Sequence, residues 1–262
     1  MTLTKEDKKK LKSLHTVKGR KASNCFMAEG IRLLEESIRH DWHAEMVGYC
    51  PAIVSPRGRK LVDHFRSRKT VIEEISARNL DMVSDSVNSQ GMIGVFRIPD
   101  RRPDDFPGLE RGRFLLLENI ADPGNTGTLI RSAAAFGFDF VWQAGEGADP
   151  YNSKVVRATA GAIFAIPVVS IAIADLTYYK RSLGARLIAA DLTGTDIGTG
   201  LEYDREPVIL ALGAEAAGLS REIRQLADLT LHIQHEEKVE SLNVAVAGSI
   251  IMKALYDIRG GK

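Results

Sequence analysis

The second half of the chain alternates short apolar runs with segments whose apolar residues follow helical spacing. The runs are rich in β-branched and aromatic residues and end at turn-forming residues, as buried strands do. Strands that alternate with helices predict an α/β fold with a largely parallel sheet covered by helices. The predicted strands are 114–117, 140–143, 166–171, 186–190, 208–212 and 229–233, and the predicted helices lie near 126–136, 152–160, 175–183, 220–227 and 242–258.

The first part of the chain predicts a smaller α/β unit. Ile31, Leu34 and Ile38 repeat at the spacing of one helix face. Short apolar segments alternate with such helical patterns from residue 26 to about residue 96. The predicted strands of this unit are 45–50, 70–75 and 92–98.

A segment with hardly any apolar residues separates the two parts. It has three prolines in nine residues, a composition typical of a linker. We therefore expect an N-terminal domain at 1–96, a linker at 97–112 and a C-terminal domain at 113–262.

Composition and charge restrict the class of protein. The 262 residues are 44% hydrophobic and 26% charged, which indicates a globular chain and excludes disordered and collagen-like classes. The net charge is +1, so a nucleic-acid surface would have to arise from local clusters. The first 20 residues hold seven Lys or Arg, and they fit a solvated arm and a phosphate-contacting arm equally well.

Several other classes are excluded or disfavoured by what the sequence lacks. Cys25 and Cys50 are too few for a disulfide scaffold, and no signal peptide is evident, so the cytoplasm is expected. The histidine pairs lack ligands at zinc-like spacing, so no metal is expected. The uncharged stretch 158–174 is interrupted by Gly161 and Pro167, and we predict that it is core rather than a membrane span. Phosphate-binding glycine loops and serine-nucleophile elbows are absent, which disfavours a small-molecule enzyme with a nucleotide cofactor.

Three loops that follow predicted strands are candidates for function, because parallel α/β sheets bind ligands beyond the carboxyl ends of their strands. The first loop places Asp-Pro-Gly-Asn before a small-residue helix, with Asn125 predicted as its N-cap. Arg131 follows about one and a half helical turns later. Taken alone, Asn125 fits a helix cap and Arg131 fits a surface charge.

The second and third loops have similar features. Gly213 and Gly218 permit close approach of the backbone to a ligand, and Ser220 is suited to cap the next helix. In the third loop, Ser241 is a candidate cap for the last helix, which would put Asn243 in its first turn.

Together the three loops resemble the SpoU/TrmH family of RNA ribose 2'-O-methyltransferases, with motifs in the same order over about residues 113 to 260. Residues 152–161 are similar to the family's connecting segment, and 18–21 with 26–30 are similar to its ribosomal-protein-like RNA-binding domain. The resemblance implies a C-terminal trefoil knot, a homodimer, S-adenosylmethionine as methyl donor and structured RNA as substrate, with rRNA favoured over tRNA.

The resemblance also implies roles for individual residues. The family's reaction centre corresponds to Asn125, Arg131, Glu215, Ser241 and Asn243. The donor site corresponds to Leu212, Gly213, Gly218, Ile233 and Leu242. RNA contacts are expected from Lys18, Arg20, Lys21, Lys154 and Arg157. Because a guanidinium keeps its proton at physiological pH, we assign Arg131 to orienting the ribose hydroxyl and stabilising developing alkoxide charge, not to acting as a base.

One part of the third motif departs from the family pattern. Gln234, His235 and Glu237 stand where the family usually has Pro, Met and Gly. Loss of the proline and gain of a carboxylate predict weaker donor binding. The alternative to an enzyme is therefore a non-catalytic RNA-binding or ribosome-assembly protein that retains the fold.

Overall fold

The structure is a computed structural model that describes residues 4–86, 89–100, 102, 112–200 and 207–258. The chain divides into two compact units, the first from 1–100 with 149–165 and the second from 101–148 with 166–262. The expected linker at 97–112 falls largely outside the described residues, at 101 and 103–111. The domain boundary drawn from the sequence therefore stays a prediction.

The secondary-structure elements are numbered along the chain. The strands are β1 Cys25–Glu29, β2 Ala44–Tyr49, β3 Val71–Glu74, β4 Met92–Arg97, β5 Arg113–Glu118, β6 Phe140–Ala144, β7 Val168–Ser170, β8 Arg186–Asp196, β9 Val208–Leu212 and β10 Leu229–His232. The α-helices are α1 Lys5–Ser13, α2 Val17–Ser23, α3 Ile31–Arg39, α4 Pro56–Ser67, α5 Ala77–Val83, α6 Pro123–Ala135, α7 Ser153–Ala158, α8 Leu176–Leu183, α9 Ile197–Gly200, α10 Arg221–Leu226 and α11 Val244–Ile258.

The first unit has a four-stranded sheet in the order β1-β4-β2-β3. β4 runs antiparallel to both of its neighbours, and β3 is parallel to β2. The basic N-terminal segment forms α1 and α2, which have threonine caps that accept hydrogen bonds from first-turn backbone N–H groups. The sequence did not predict these helices or β1.

Residues 149–165 form part of the first unit, although they follow β6 in the range expected for the C-terminal domain. Tyr151 packs on Phe26 with ring centroids 4.9 Å apart, and Phe164 packs on Trp42 at 5.2 Å. The Trp42 indole Nε1 donates a hydrogen bond to the Phe164 carbonyl at 2.9 Å. The aromatic core of this unit is therefore completed by a segment distant in sequence.

Arg20 corrects one prediction, because its side chain is buried and does not face solvent. It is 1% exposed, and its Nε and Nη2 donate to Asp149 Oδ2 at 2.9 and 2.6 Å. Its Nη1 donates to the Leu14 carbonyl at 2.7 Å. A buried guanidinium needs such partners to offset its desolvation, so Arg20 is structural and is not available to RNA phosphates.

The second unit has a six-stranded parallel sheet in the order β10-β8-β9-β5-β6-β7. β5 and β9 lie adjacent in it and are buried along their whole lengths, as strands covered on both faces are. Leu176 of α8 and Ile223 of α10 pack on one face of the sheet, against Phe114 and Trp142. α11 packs on α6 and β9. The predicted α/β fold is confirmed, whereas the trefoil knot stays a prediction.

The boundaries of individual elements follow the sequence pattern closely. β9 has the predicted bounds, and β8 extends six residues beyond its predicted end at 190. The uncharged stretch 158–174 contains the end of α7 and the whole of β7, as predicted. None of the described helices is long and apolar enough to cross a membrane.

One carboxylate in the first unit, that of Asp85, connects the start of α7 with the segment between α1 and α2. Asp85 Oδ2 lies 2.9 Å from His15 Nδ1 and accepts a short hydrogen bond from the Ser153 hydroxyl. Burial raises the pKa of Asp85, but Ser153, His15 and Arg157 together outweigh burial and hold this pKa below its ordinary value.

We predict that Asp85→Asn destabilises the first unit at neutral pH but not in acid. A carboxyl whose pKa is lowered in the folded state stabilises the fold at pH values above its unfolded pKa of about 3.9. This stabilisation is lost as the pH falls through the folded pKa. Since 34% of the side chain is exposed, the effect at pH 7 should be about 1 kcal/mol. Hydrogen exchange of the first unit's amides from pH 3 to 7 measures it.

The control for this prediction is Asp63→Asn. Asp63 is 71% exposed and pairs with Arg66 on the same helix, so its loss should change exchange little at any pH. A wild-type advantage over Asp85→Asn that persists undiminished at pH 3 would contradict the assignment.

Candidate functional site

The three loops predicted from the sequence meet at one edge of the second unit's sheet. They follow β5, β9 and β10, whose carboxyl ends lie at that edge because the strands are parallel. Each loop contributes one side chain to a hydrogen-bonded group of three residues, Asn125, Glu215 and Asn243.

Asn125 is not the N-cap of α6, which corrects the sequence prediction. Asp122 is the N-cap, and its Oδ1 accepts from the Asn125 backbone N–H at 2.7 Å, with Pro123 at the first helical position. Asp122 therefore satisfies the helix end, and the Asn125 amide is left for another partner. That partner is Glu215, whose Oε1 accepts from Asn125 Nδ2 at 2.6 Å.

Asn243, and not Ser241, caps α11. Its Oδ1 accepts from the backbone N–H groups of Ala245 at 2.9 Å and Val246 at 3.3 Å. Its Nδ2 donates to Asn125 Oδ1 at 3.0 Å and to Glu215 Oε1 at 3.1 Å. The two ends of one amide thus fix both the helix and the other two loops.

Glu215 accepts from two amides through a single oxygen. Within the part of the chain that the structure describes, its Oε2 has no hydrogen-bond partner and the carboxylate has no ion-pair partner. The residue is exposed, so this second oxygen is accessible to a ligand. Chemically, it is a hydrogen-bond acceptor held at a fixed place.

The loop that carries Glu215 is tightly closed and is held at its end by a buried residue of β5. The Gly218 N–H donates to the Ala214 carbonyl at 2.8 Å, and a Cβ on Gly213 would lie 2.2 Å from the Gly218 carbonyl carbon. The end of the loop is held by Glu118, which is 0% exposed and accepts from the Ser220 N–H at 2.7 Å. Sequence reasoning missed Glu118, because as the last residue of an apolar strand it gave no separate signal.

A cavity of about 610 Å³ opens between the second and third loops. Ser241 lines it together with Glu215 and Asn243, whereas Asn125 and Arg131 do not. All five residues expected at a donor site also line it, namely Leu212, Gly213, Gly218, Ile233 and Leu242. A volume of this size is typical of sites for small molecules and cofactors.

The altered third motif does not block this cavity. His235 lines it, with Nδ1 2.9 Å from the Ile233 carbonyl, and the Gln234 N–H donates to Asp196 Oδ2 at 3.3 Å. Glu237 is exposed and is not part of the lining. Where the family usually has a proline, the loop is thus held by a hydrogen bond to β8 and by one within the loop.

Sequence reasoning missed further charged and titratable residues of the cavity wall. Asp191 comes from β8, Arg224 from α10 and His232 from the end of β10. The signal for Asp191 was available, because it follows an apolar strand at the same sheet edge. Among the described residues, no cluster of three or more His, Cys, Asp or Glu side chains forms a metal site.

Arg131 lies apart from the other predicted reaction-centre residues of its own chain. It is exposed on α6, and within the described ranges its guanidinium makes no hydrogen bond or ion pair. Arg131 is six positions after Asn125 on α6. In an α-helix, this spacing corresponds to a rotation of about 120° around the axis and a rise of about 9 Å.

The residues expected to contact RNA all belong to the first unit. Lys18, Lys21 and Lys154 are exposed, which suits a phosphate-contacting surface. Arg157 is partly buried, and its Nη1 has no hydrogen-bond partner among the described residues. Arg20 is excluded from this set by its burial.

Comparison with known proteins agrees with both units. The model of the SpoU rRNA Methylase family matches residues 112–253, and that of the MRM3-like substrate binding domain matches residues 6–94. A 23S rRNA (guanosine(2553)-2'-O)-methyltransferase, RlmP of Bacillus subtilis, is 31% identical over 254 residues, covering 95% of this chain and 94% of that protein.

Two solved structures are similar over almost the whole chain. An rRNA methyltransferase from Sinorhizobium meliloti, solved with bound S-adenosylmethionine (AdoMet), has a TM-score of 0.87 at 29% identity. The match covers 98% of this chain and 96% of that one. The SpoU methyltransferase AviRb from Streptomyces viridochromogenes, in complex with AdoMet, has a TM-score of 0.85 at 26% identity, covering 99% and 100%. With motifs, fold and family model in agreement, this chain belongs to the SpoU rRNA methylase family.

Proposed function

We propose that this chain transfers a methyl group from S-adenosylmethionine to a ribose 2'-hydroxyl of ribosomal RNA. The observation that carries the proposal is the hydrogen-bonded group of Asn125, Glu215 and Asn243 beside the 610 Å³ cavity. It is supported by the relatives named for rRNA 2'-O-methylation and by the AdoMet-bound structures.

The cavity suits the proposed donor. Its wall combines backbone of the Gly213–Gly218 loop with the apolar side chains of Leu212, Ile233 and Leu242, which fit an adenosine, and with polar groups toward Glu215. When bound there, the donor supplies a methyl group on a positively charged sulfur. The residues of the chain then have to orient the acceptor hydroxyl and help it to lose its proton.

Glu215 and the two asparagines are suited to help the ribose hydroxyl lose its proton. The asparagines hold Glu215 Oε1, and in the proposal Oε2 accepts the hydrogen bond of the incoming 2'-hydroxyl. Ser241 adds a hydroxyl to the same wall. Because these groups are fixed before substrate binds, little reorganisation is required during the reaction.

Arg131 completes the site in this proposal from a second copy of the chain. Its position on α6 is rotated by about 120° from that of Asn125, and its guanidinium makes no hydrogen bond or ion pair within the described ranges, which supports partners on another molecule. α11, which packs on α6, exposes 49% of Val246 and 40% of Ile250, and these two apolar side chains one turn apart on one helix favour a homodimer. In the dimer, Arg131 stabilises developing alkoxide charge or holds a neighbouring phosphate.

RNA binding is assigned to the first unit. Its exposed lysines, Lys18, Lys21 and Lys154, provide sequence-independent phosphate contacts, whereas recognition of the target depends on RNA shape. The cytoplasm is the proposed location, because the substrate is ribosomal RNA and both cysteines are free.

We predict that the chain labels rRNA when incubated with methyl-labelled donor and RNA from a strain lacking its gene. Mapping should place the label on a ribose 2'-oxygen. Glu215→Gln should slow transfer about a hundredfold, since it removes a general base, with donor binding by calorimetry nearly unchanged. RNA binding without donor binding would favour the non-catalytic alternative, and label on protein would overturn the substrate class.

We also predict that Arg131 and Glu215 act across the dimer. Arg131→Ala and Glu215→Gln chains should each be nearly inactive, because each homodimer lacks one group in both sites. A heterodimer of the two, isolated through two different tags, has one intact site and should regain about half of the wild-type rate.

A control variant tests whether activity depends on the dimer. Val246→Asp should dissociate the dimer in sedimentation and remove activity, since it buries a charge in the proposed interface. A heterodimer that stays as inactive as its parents, or an Arg131→Ala chain that keeps most of its rate, would contradict the assignment.

A further inference from the structure

The wall of the donor cavity contains one strong cation that no predicted role uses. Among the described residues that line it, Arg224 of α10 is the single arginine or lysine. It is 50% exposed, so its guanidinium is within reach of a ligand and remains partly solvated.

Two contacts, one to Asp191 and one to the Gly213–Ser220 loop, hold this guanidinium in place. Its Nε lies 3.4 Å from Asp191 Oδ2, and its Nη2 donates to the Ala217 carbonyl at 3.4 Å. Gly218 has a φ of +65°, and a Cβ there would lie 2.7 Å from Arg224 Nη2. Glycine therefore provides both the left-handed backbone and the space into which the guanidinium fits.

Asp191 orients Arg224 through a single donor and leaves the two Nη groups without a carboxylate partner. Asp191 is 16% exposed, and its Oδ1 accepts from the Thr193 N–H and hydroxyl at 3.1 and 3.0 Å. The opposite oxygen faces Arg224 through Nε alone. The two contacts of the guanidinium are both 3.4 Å long, so most of its five N–H groups stay available to an incoming acceptor.

We propose that Arg224 binds the α-carboxylate of the methyl donor. This inference rests on the proposed function and deepens it, because the donor carries one carboxylate and the cavity wall offers one matching guanidinium. The guanidinium contacts the carbonyl of Ala217, which follows Glu215 by two residues in the same loop. Arg224 and the carboxylate proposed to meet the ribose hydroxyl therefore lie at the same short loop.

The other charged groups of the wall do not suit a carboxylate. Glu215 and Asp191 are acidic and repel a carboxylate, and the two histidines of the wall lack the fork of donors that a guanidinium offers. Arg224 therefore distinguishes donors that have the carboxylate from those that lack it. It acts as a specificity-determining residue and has no part in the methyl transfer itself.

The test compares S-adenosylmethionine with its decarboxylated form, which keeps the sulfonium, the amine and the adenosine. Calorimetry on the wild-type chain should show about tenfold tighter binding of the carboxylated compound, the scale of one partly exposed charge-assisted hydrogen bond. Arg224→Gln should weaken binding of S-adenosylmethionine by about that factor and leave the decarboxylated compound unchanged. The preference should disappear in the variant.

Arg221→Gln is the matched control. Arg221 lies three residues earlier on α10, is exposed and does not line the cavity, so both compounds should bind to it as to wild type. Arg224→Lys should retain part of the preference, since it keeps the charge but not the fork of donors. Thermal unfolding of each variant reports whether the fold is intact.

The outcomes separate this inference from the proposed function. A wild-type chain that binds both compounds equally, or an Arg224→Gln chain that keeps the preference or weakens both compounds equally, overturns the role of Arg224 and leaves the methyltransferase proposal standing. A wild-type chain that binds neither compound overturns both.

Discussion

The candidate site depends on one carboxylate oxygen that accepts from two amides. Glu215 Oε1 joins Asn125, at the start of α6, to Asn243, at the start of α11. Hydrogen bonds to a charged group are each worth about 1.5 to 3 kcal/mol, so removing this oxygen would break two of the three hydrogen bonds of the group and leave only the one between the asparagines. The free Glu215 Oε2 takes its position from this junction, and the second loop is joined to the first and third loops through it.

Most of the fold and the membership of the site followed from the sequence for physical reasons. Strands buried on both faces are continuous apolar runs, so β9 was predicted with its observed bounds. Parallel strands bring their carboxyl ends to one edge, so the loops bearing Asn125, Glu215 and Asn243 were expected to meet. The resemblance to the family then supplied the roles that spacing alone left open.

The wrong predictions were of two kinds. Some depended on contacts between residues distant in sequence, and others on a choice between two neighbouring residues that are both suited to the same position. Asp122 and Asn125 are both good caps, and only the geometry shows that Asp122 takes the helix end. Arg20 lay in a basic segment, and its partner Asp149 is 129 residues away, so no local pattern signalled its burial. Arg224 lies on a short helix whose sequence is that of any solvated surface.

The aromatic contacts of residues 149–165 limit how this protein can be divided. A fragment that starts at residue 113 would retain Tyr151 and Phe164 but lose Phe26 and Trp42, leaving two rings exposed to water. The complementary fragment would lack the Tyr151 and Phe164 rings of its own aromatic core. Recombination that exchanged the substrate-binding region between relatives at the apparent linker would therefore produce mismatched, aggregation-prone chimeras unless residues 149–165 were inherited with it.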